Sequence, residues 1–280
     1  MRITVLGASG FIGHHLLAAL KARGDDVAQA SLRVPTAAAA ACEGSDVIVN
    51  LAGAAVSERW TAEHKRAIEA SRVAAPRAFF AALEGVRAKP KHYVSASAVG
   101  YYGTSRTATF TETSAPGTDF LARVCVEWEE TADRARDLGL SVCKVRTGLV
   151  LGADGGALAK LLPLFKIGAG GVVASGAQWY SWIHIDDQVG IYLSAIDGQT
   201  GVLNATAPTP LTNRDFTKAL AAAVHRPALF AVPAFAVGLM LGEGAVIVTE
   251  GQRVLPEATL ASGYRFQYPR LDVALRAIVS

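Results

Sequence analysis

The 280-residue chain contains little cysteine, few charged residues and no long uninterrupted apolar run. Its three cysteines, Cys42, Cys125 and Cys143, are far apart and odd in number, so they indicate neither a disulfide framework nor a paired metal motif. Charged residues make up only 18% of the chain, and 27 basic residues against 24 acidic ones leave a net charge of +3. This balance argues against a nucleic-acid partner, and the 51% of hydrophobic residues excludes a disordered chain.

The sequence also lacks the patterns of a membrane span and of a secretory signal. The most apolar segment, residues 232–248, is interrupted by Gly242, Glu243 and Gly244. It falls short of the about 18 uninterrupted apolar residues that a span requires, so we predict a buried helix there. The first residues, MRITVLG, do not have the basic, apolar and small-residue succession of a signal peptide. We therefore predict a cytoplasmic protein without membrane contact.

Strand-like and helix-like segments alternate through the first half of the chain. Residues 2–6 form a β-branched strand pattern, and apolar residues at helical spacing then lead to the stop signal Gly24. Further strands are predicted at residues 27–32, 46–52, 92–96 and 141–145, and further helices at residues 37–41, 61–83 and 119–138. Repeated strand–helix units predict an α/β fold with a doubly wound parallel Rossmann sheet.

This pattern loosens after about Leu151, where glycine, aromatic residues and prolines become frequent. We predict a dinucleotide-binding Rossmann domain at residues 1–150, to which later segments return. Residues 151–280 are predicted to form mainly a smaller C-terminal substrate lobe with a C-terminal extension.

A glycine-rich turn lies between the first predicted strand and the first helix. Gly7, Gly10 and Gly13 form the pattern G-x-x-G-x-x-G in this position. Glycine allows unusual backbone angles, close approach of phosphates and tight helix–strand packing, and the helix start offers free N–H groups to a pyrophosphate. The sequence therefore predicts a dinucleotide site; the alternative is a tight turn of purely structural purpose. The predicted binding residues of this turn are Gly7, Ser9, Gly10, Phe11, Ile12 and Gly13.

The end of the second strand selects between the two nicotinamide dinucleotides. An acidic residue there binds the NAD ribose and repels a 2′-phosphate, but no Asp or Glu occurs between Val27 and Cys42. Ser31 and Arg33 instead offer a hydroxyl and a guanidinium to the phosphate. We predict NADP(H) as the cofactor; the alternative for Arg33 is an exposed loop cation without a ligand.

Several motifs resemble those of the extended short-chain dehydrogenases/reductases, in the expected order. They are NLAG at residues 50–53, VSAS and GYYG within residues 94–103, and IHIDD at residues 183–187. Other segments resemble more closely an atypical NAD(P)-dependent epimerase family, sometimes labelled cell-division-inhibitor-like. These segments are RWT, SRV, RTGLVLGADGGALAKLLPLFKIGAGG, QWYSWIHIDD, HRPALFAVPAF and QRVLP. The resemblance implies cofactor contacts from Leu51, Ala52 and Gly53 and from the backbone at Arg146.

One element that the resemblance implies is missing. In extended reductases a tyrosine exchanges a proton with the substrate, and a lysine four residues later lowers the pKa of that tyrosine. The corresponding helix carries Phe120 or Leu121 and Val124 or Cys125 at these positions, and no tyrosine of the chain is followed four residues later by lysine. The usual proton relay is therefore absent. The lysine matters because an unperturbed phenol is a poor base at neutral pH.

The remaining catalytic candidates lie at the end of the fourth predicted strand. Ser97 matches the serine of the family that orients the substrate, and Tyr102, with Tyr101 as the alternate, follows on the next loop. Ligands of open α/β sheets bind beyond such strand ends. The other interpretation is that both tyrosines cap the core with their hydroxyls bonded to the backbone.

An aromatic and polar cluster in the second lobe is the candidate substrate pocket, since small-molecule pockets combine apolar walls with a few polar groups. Its residues are Gln178, Trp179, Trp182 and His184, and the alternative is a packing cluster between the lobes. His184, Asp186 and Asp187 could suggest a metal site, but alternate residues of a strand supply only two ligands on one side, which is too few. We therefore predict no metal and expect Asp186 or Asp187 to cap the next helix.

Together these features predict an NADP(H)-binding oxidoreductase or epimerase-like enzyme that acts on an unidentified small molecule. The alternative is a non-catalytic sensor of NADP(H) occupancy or an interaction protein, because the Tyr-x-x-x-Lys pair is absent. The sequence contains neither a G-x-S-x-G elbow nor a P-loop lysine, which excludes the usual hydrolase and kinase sites. The oligomeric state is left open.

Overall fold

The structure, a computed structural model, describes residues 1–279. The strands are β1 (Arg2–Leu6), β2 (Asp26–Ala30), β3 (Val47–Asn50), β4 (His92–Ala98), β5 (Thr109–Phe110), β6 (Ser141–Thr147), β7 (Leu149–Leu151), β8 (Gly171–Val173), β9 (Trp179–Tyr180), β10 (Trp182–His184), β11 (Gly201–Ala205), β12 (Leu211–Thr212), β13 (Phe230–Val232) and β14 (Arg253–Val254). The helices are α1 (Phe11–Arg23), α2 (Pro35–Ala41), α3 (Ala62–Glu69), α4 (Ala75–Leu83), α5 (Phe120–Asp133), α6 (Gly156–Lys166), α7 (Ile185–Ile196), α8 (Asn213–Ala223), α9 (Ala234–Leu241), α10 (Val246–Thr249), α11 (Glu257–Ala261) and α12 (Leu271–Val279).

Six parallel strands form the central sheet in the order β11-β6-β4-β3-β1-β2. The strand order reverses at β1, because β2 lies on one side of it and β3, β4 and β6 lie on the other. This arrangement confirms the predicted α/β fold with a doubly wound parallel sheet. Ligands of such sheets bind beyond the carboxyl ends of the strands, near the point of reversal.

The sheet is buried on both faces, which explains the continuous apolar runs of its strands. On one face, Leu16 and Leu20 of α1 and Tyr192 of α7 pack against the strands in a common core. On the other face, α2, α4 and α5 cover the sheet, with Phe79 and Phe80 of α4 in the core. Helix α1 ends where predicted, since Gly24 has a left-handed φ of 85° and its N–H bonds to the last carbonyls of the helix.

The second half of the chain returns to the sheet and also builds a smaller core of its own. Strand β11 extends the central sheet beyond β6. Helices α6, α8 and α12 pack around Trp182 in a separate hydrophobic cluster. The short strands of this half pair outside the central sheet, as β7 with β10, β8 with β13 and β9 with β12, and β14 pairs with β5 of the first half.

The segment 61–83 is helical as predicted, but its middle is widened. Residues Ala70–Ala74 form a π-helical turn in which the N–H of Ala75 bonds to the carbonyl of Ala70. Pro76 has no N–H for the carbonyl of Arg72, four residues earlier, and its ring crowds that carbonyl. The wider turn removes this conflict, and such turns are frequent at functional sites.

The prediction of a buried helix at residues 232–248 is wrong. Helix α9 covers only part of this segment, and its Phe235, Leu239 and Met240 are 72%, 70% and 74% exposed. The helix is short and apolar on all sides, so packing can cover only one side, where Val237 is buried. Within residues 1–279, no helix is long and apolar enough to cross a membrane.

Candidate functional site

The three glycines of the first turn have different surroundings. Gly7 has a φ of 78°, and a Cβ on it would lie 2.6 Å from the nitrogen of Ala52; a Cβ on Gly13 would lie 2.6 Å from the carbonyl oxygen of Ala8. Gly7 therefore permits close contact with the loop after β3, and Gly13 permits close packing of α1. A Cβ on Gly10 would meet only the oxygen of Gly7, at 3.7 Å. Space is thus free above Gly10, where a dinucleotide pyrophosphate would approach the backbone.

The start of α1 is suited to an anion. Gly10 occupies the N-cap position, no side chain caps the helix, and its first turn contains no acidic residue. Free N–H groups and the positive end of the helix dipole attract phosphate at such a helix start. Ser9 and Gly10 are exposed, and Phe11 and Ile12 are half-buried. These predicted binding residues therefore fit a nicotinamide dinucleotide.

A distant loop packs against this turn. The ring of Phe11 lies so close to Gly152, Gly155 and Gly156 that a Cβ on Gly152 or Gly155 would overlap it, at 2.6 and 2.2 Å. Next to this contact, His15 of α1 hydrogen-bonds to Asp154 at 2.9 Å. The glycine turn with the start of α1 therefore packs directly against the loop that follows β7.

The end of β2 presents the residues predicted to select NADP(H). Ser31 and Arg33 are exposed on either side of the buried Leu32, and the N–H of Arg33 bonds to the hydroxyl of Ser31 at 3.3 Å. In the part of the chain that the structure describes, the guanidinium of Arg33 forms no ion pair. The site thus offers a cation and no carboxylate, as a 2′-phosphate requires.

The end of β3 is held next to the glycine turn. The amide of Asn50 donates to the Tyr93 hydroxyl at 2.9 Å and accepts from the N–H of Ala52 at 3.0 Å. Leu51 and Ala52 are half-buried and Gly53 is exposed, so this strand end has an accessible surface. All three of these predicted cofactor residues lie at the same edge of the sheet.

Ser97 and Arg146 lie side by side with Asn204 on the adjacent strands β4, β6 and β11. The Ser97 hydroxyl donates to Oε1 of Glu129 on α5 at 2.7 Å. Arg146 donates to both oxygens of Glu129, from Nε at 2.7 Å and from Nη2 at 2.9 Å. Burial lowers the pKa of Arg146, but the Glu129 carboxylate and the Tyr102 hydroxyl together raise it by more, so the net shift is upward. The side chain of Arg146 is thus engaged inside the protein, and its backbone lies in β6 between β4 and β11, so the cofactor contact expected from this residue stays a prediction.

The two candidate tyrosines have different surroundings. The hydroxyl of Tyr102 donates to Asn204 at 2.7 Å and accepts from Nη1 of Arg146 at 2.9 Å, and the residue is buried. Burial raises the pKa of Tyr102, although the Arg146 cation opposes this effect. Tyr101 is half-buried, its ring lies 3.4 Å from the guanidinium carbon of Arg146, and its hydroxyl has no hydrogen-bond partner within residues 1–279. Thus neither hydroxyl bonds to the backbone.

The residues of the predicted substrate pocket are held by packing. Trp182 is fully buried and donates to the carbonyl of Thr209 at 3.0 Å, while Trp179 is half-buried and donates to the carbonyl of Arg106 at 2.9 Å. The side-chain nitrogen of Gln178 donates to two carbonyls, and its oxygen is buried without a partner among the described residues. These contacts favour the packing interpretation for Trp182 in particular.

The helix α7 is capped by His184 and not by Asp186 or Asp187, so that expectation is wrong. Nδ1 of His184 accepts from the N–H of Asp186 at 3.1 Å, and its ring stacks on Tyr268. The Asp187 carboxylate faces inward and accepts from the backbone N–H groups of Gln267 and Tyr268 at 2.7 and 2.9 Å. Within residues 1–279, no three His, Cys, Asp or Glu side chains are grouped to hold a metal ion.

Two charged residues at this site were not predicted as functional. Glu129 occupies the buried side of α5 with Cys125, Trp128 and Ala132. A carboxylate at an apolar position of a helix was the available signal for it, because a buried charge requires a partner. Arg72 lies in the π-helical turn, and its side chain reaches Gly53 at the end of β3. Its position depends on the π-helical turn, for which Pro76 was the available signal in the sequence.

Comparison with known proteins gives matches along almost the whole chain. Residues 3–205 match the model of the NAD dependent epimerase/dehydratase family, and residues 232–278 match a domain of unknown function, DUF1731. The chloroplastic Epimerase family protein SDR39U1 homolog of Arabidopsis thaliana is 40% identical over 307 residues, which cover 100% of this chain and 87% of that protein.

Human Epimerase family protein SDR39U1 is 36% identical over 294 residues, which cover 100% of both chains. A crystal structure of the human protein (isoform 2) with NADPH has a TM-score of 0.91 to this chain at 34% identity, and the match covers 99% of each chain. The similarity therefore extends beyond the sheet into the second lobe and the C-terminal region.

Proposed function

Since this chain belongs to the NAD dependent epimerase/dehydratase family, we propose that it binds NADP(H) and acts on a small molecule as an oxidoreductase or epimerase. The observation that carries the proposal is the open space above Gly10 at the uncapped start of α1. Gly7 and Gly13 are required by neighbouring protein atoms, whereas among the described residues only the Gly7 oxygen, at 3.7 Å, would lie near a Cβ on Gly10. A bound pyrophosphate supplies the reason.

Two observations favour NADP(H) over NAD(H). Arg33 and Ser31 are exposed at the end of β2, and no acidic residue lies between Val27 and Cys42 to repel a 2′-phosphate. In addition, the similar human protein was crystallised with NADPH. We therefore retain NADP(H) as the cofactor.

A reduced nicotinamide supplies a hydride, so the protein must supply a proton when a carbonyl is reduced. Ser97 and Tyr102 are poorly suited to this role, because both hydroxyls donate to buried acceptors. The hydroxyl of Tyr101, at the same strand end, has no hydrogen-bond partner within residues 1–279, and its ring lies against the Arg146 guanidinium. We therefore infer that Tyr101, the predicted alternate of Tyr102, donates the proton.

Binding and turnover require separate tests. Calorimetric titration with NADPH should show saturable binding, and the absence of binding contradicts the proposed function. A screen of small aldehydes, ketones and nucleotide sugars, followed by NADPH fluorescence or product analysis, tests turnover. The Tyr101→Phe variant should be slower by about 10²–10⁴-fold, which is the usual contribution of a general acid. Full activity of this variant removes Tyr101 from the mechanism.

A second candidate function is a non-catalytic protein that responds to NADP(H) occupancy. The engagement of Ser97 and Tyr102 in interior hydrogen bonds favours it, as does the absence of the tyrosine–lysine pair from α5. Such a protein should bind NADPH, change its oligomeric state or partner binding with the cofactor, and consume none. Analytical ultracentrifugation with and without NADPH, beside the turnover screen, separates the two candidates.

We also propose that the protein works in the cytoplasm on a small-molecule ligand, without nucleic-acid or membrane partners. The small net charge of +3 supports the absence of a nucleic-acid partner, since such partners favour strongly basic surfaces. Electrophoretic mobility shift with duplex DNA and structured RNA, and subcellular fractionation, test these two parts.

A further inference from the structure

The second half of the chain carries an exposed apolar surface at the end of α6, on β13 and on α9. Single exposed apolar residues are ordinary on a protein, but a group of them on adjoining elements marks an interaction site. The side chains of this surface are between 61% and 86% exposed. We name this surface the apolar face; its residues are Ile167, Leu229, Phe230, Phe235, Leu239 and Met240.

The three elements of the apolar face are neighbours. Strand β13 pairs in parallel with β8, which follows α6 after a short turn. Helix α9 begins at Ala234, directly after Pro233 and the end of β13. Phe235 and Leu239 are four residues apart and therefore lie on the same side of α9. The face is thus one surface that continues from α6 across β13 to α9.

The structure holds α9 in place at its C-terminal end. The N–H of Trp60 donates to the carbonyl of Leu241 at 3.0 Å, and Lys65 pairs with Glu243, just beyond the helix, at 2.7 Å. Both contacts join α9 to the region that follows β3. The helix is therefore already formed and fixed, so a partner does not have to order it on binding.

Only basic residues accompany the apolar face along the chain. The segments 155–185 and 216–242 contain all six of its residues and no Asp or Glu. Their cations are Lys160, Lys166, Lys218 and Arg226, and within residues 1–279 none of these four forms an ion pair. Nε of Arg226 donates to the carbonyl of Lys166 at 3.1 Å, so two of the cations lie directly beside Ile167. The face therefore complements an apolar partner that carries negative charge.

The composition and the charge of the face favour another protein as its occupant. Phenylalanine, methionine and arginine are enriched at protein interfaces, and Phe230, Phe235, Met240 and Arg226 occur here. A second copy of this chain, related by a two-fold axis, would bring like charges together. Helices that lie on membranes carry Lys and Arg on their own polar face, whereas α9, with the sequence AFAVGLML, has no charged residue.

We propose that the apolar face binds a segment of another protein that presents apolar side chains flanked by Asp or Glu. The apolar contacts supply most of the affinity, and pairing of the carboxylates with Lys166 and Arg226 supplies specificity. This inference goes beyond the proposed function and does not depend on it, since the face contains none of the predicted cofactor residues.

Two model peptides test the chemistry of the partner. The first is a fluorescent amphipathic helical peptide with leucines on one face and glutamates on the other, and the second has lysines in place of the glutamates. Fluorescence anisotropy should show saturable binding of the acidic peptide and at least about tenfold weaker binding of the basic one, with a smaller difference at high salt. Equal binding of both peptides, or no binding of the acidic peptide, overturns the proposal.

Variants of the face locate the binding. The double variant Phe235→Ser, Leu239→Ser should weaken the acidic peptide by about ten- to a hundredfold, and Lys166→Glu by about three- to tenfold. Leu260→Ser and Lys91→Glu replace exposed residues outside the face and should bind as wild type does. Because all these side chains are exposed, the melting temperatures should stay close to that of wild type. Affinities of the face variants equal to those of the controls overturn the proposal.

Two further measurements examine the other occupants. Co-sedimentation with vesicles of phosphatidylcholine and phosphatidylserine tests a membrane surface, and analytical ultracentrifugation over a range of protein concentrations tests a second copy. Vesicle binding or self-association that the Phe235→Ser, Leu239→Ser variant abolishes gives the face to that occupant and overturns the proposal. Failure of wild type to bind NADPH refutes the proposed function only, because the peptide titrations need no cofactor.

Discussion

The hydroxyl of Ser97 on β4 donates a 2.7 Å hydrogen bond to Oε1 of Glu129 on α5. The same carboxylate is bound through both oxygens by Arg146, the residue in register with Ser97 on β6. The serine of the family pattern is therefore part of a buried charged network. Because its proton already serves a carboxylate, Ser97 is better suited to positioning the strand end than to giving a proton to a substrate.

Arg33→Ala should weaken NADPH binding by about tenfold or more and leave NADH binding unchanged. A charge-assisted hydrogen bond contributes about 1.5–3 kcal/mol, and only NADPH carries the 2′-phosphate that Arg33 is placed to bind. Calorimetric titration of both cofactors measures the ratio. Arg87→Ala, which removes another exposed cation, is the control and should behave as wild type. If Arg33→Ala has the same ratio of NADPH to NADH affinity as wild type, Arg33 does not determine the preference for NADPH.

Gly10→Val should abolish NADPH binding while the protein keeps its melting temperature. The new side chain would project into the space above the helix start, where only the Gly7 oxygen is within 4 Å of the Cβ. Gly13→Val is the contrasting variant, because its Cβ would overlap Ala8 and should destabilise the fold. Thermal melting and NADPH titration of both variants check this pair. NADPH affinity retained by a folded Gly10→Val protein places the pyrophosphate elsewhere.

Tyr102→Phe should destabilise the protein by about 1–3 kcal/mol, whereas Tyr101→Phe should be close to neutral. The Tyr102 hydroxyl satisfies the buried Oδ1 of Asn204 and one N–H of Arg146, and a buried polar group without its partner costs about that much. The Tyr101 hydroxyl has no partner to lose in the part of the chain that the structure describes. Urea unfolding gives the two differences, and equal stability of both variants contradicts the network.

His184→Asn should reduce the loss of stability at acidic pH. Burial lowers the pKa of His184 below its ordinary value of 6.5, more than Asp186 and Asp187 raise it. As the pH falls through 6.5, the unfolded chain gains a proton before the folded one, so stability falls until the folded pKa is reached. Each unit of this difference contributes about 1.4 kcal/mol.

Asparagine keeps an oxygen for the N–H of Asp186 but does not titrate, so this variant should show a shallower slope of unfolding free energy below pH 6.5. His14→Asn, on the exposed side of α1, is the control and should keep the wild-type slope. Urea unfolding at several pH values supplies the slopes. If the unfolding free energies of wild type and His184→Asn depend on pH with the same slope, groups other than His184 cause the loss of stability at acidic pH.

The sequence predicted those parts of the fold that depend on local patterns. The four buried residues of β3 are a continuous apolar run because helices cover both faces of the sheet, and Gly24 ends α1 because only glycine adopts its backbone angles easily. The glycine turn was predicted for a similar reason, since the glycines that its backbone angles and close contacts require lie within seven consecutive residues, from Gly7 to Gly13.

The interior contacts could not be predicted in this way. The partner of Tyr102 is Asn204, 102 residues away, and the partner of Ser97 is Glu129 on a helix that carries neither the expected tyrosine nor the expected lysine. The capping of α7 by His184 was missed because aspartate is the more common cap, and two aspartates stand at positions 186 and 187 in the first turn of the helix. Long-range partners of polar side chains have no periodic signal in a single sequence.

The packing of Phe11 against Gly152, Gly155 and Gly156 has a consequence for how the sequence can vary. The size of one aromatic ring decides which residues fit about 140 positions later, so substitutions at the two places are not independent. A larger side chain at position 155 requires a smaller one at position 11. If position 155 changes first, the new side chain clashes with the Phe11 ring, whereas if position 11 changes first, the smaller side chain leaves a cavity. In aligned relatives, positions 11 and 155 should therefore covary, with aromatic residues at the first accompanying glycine at the second.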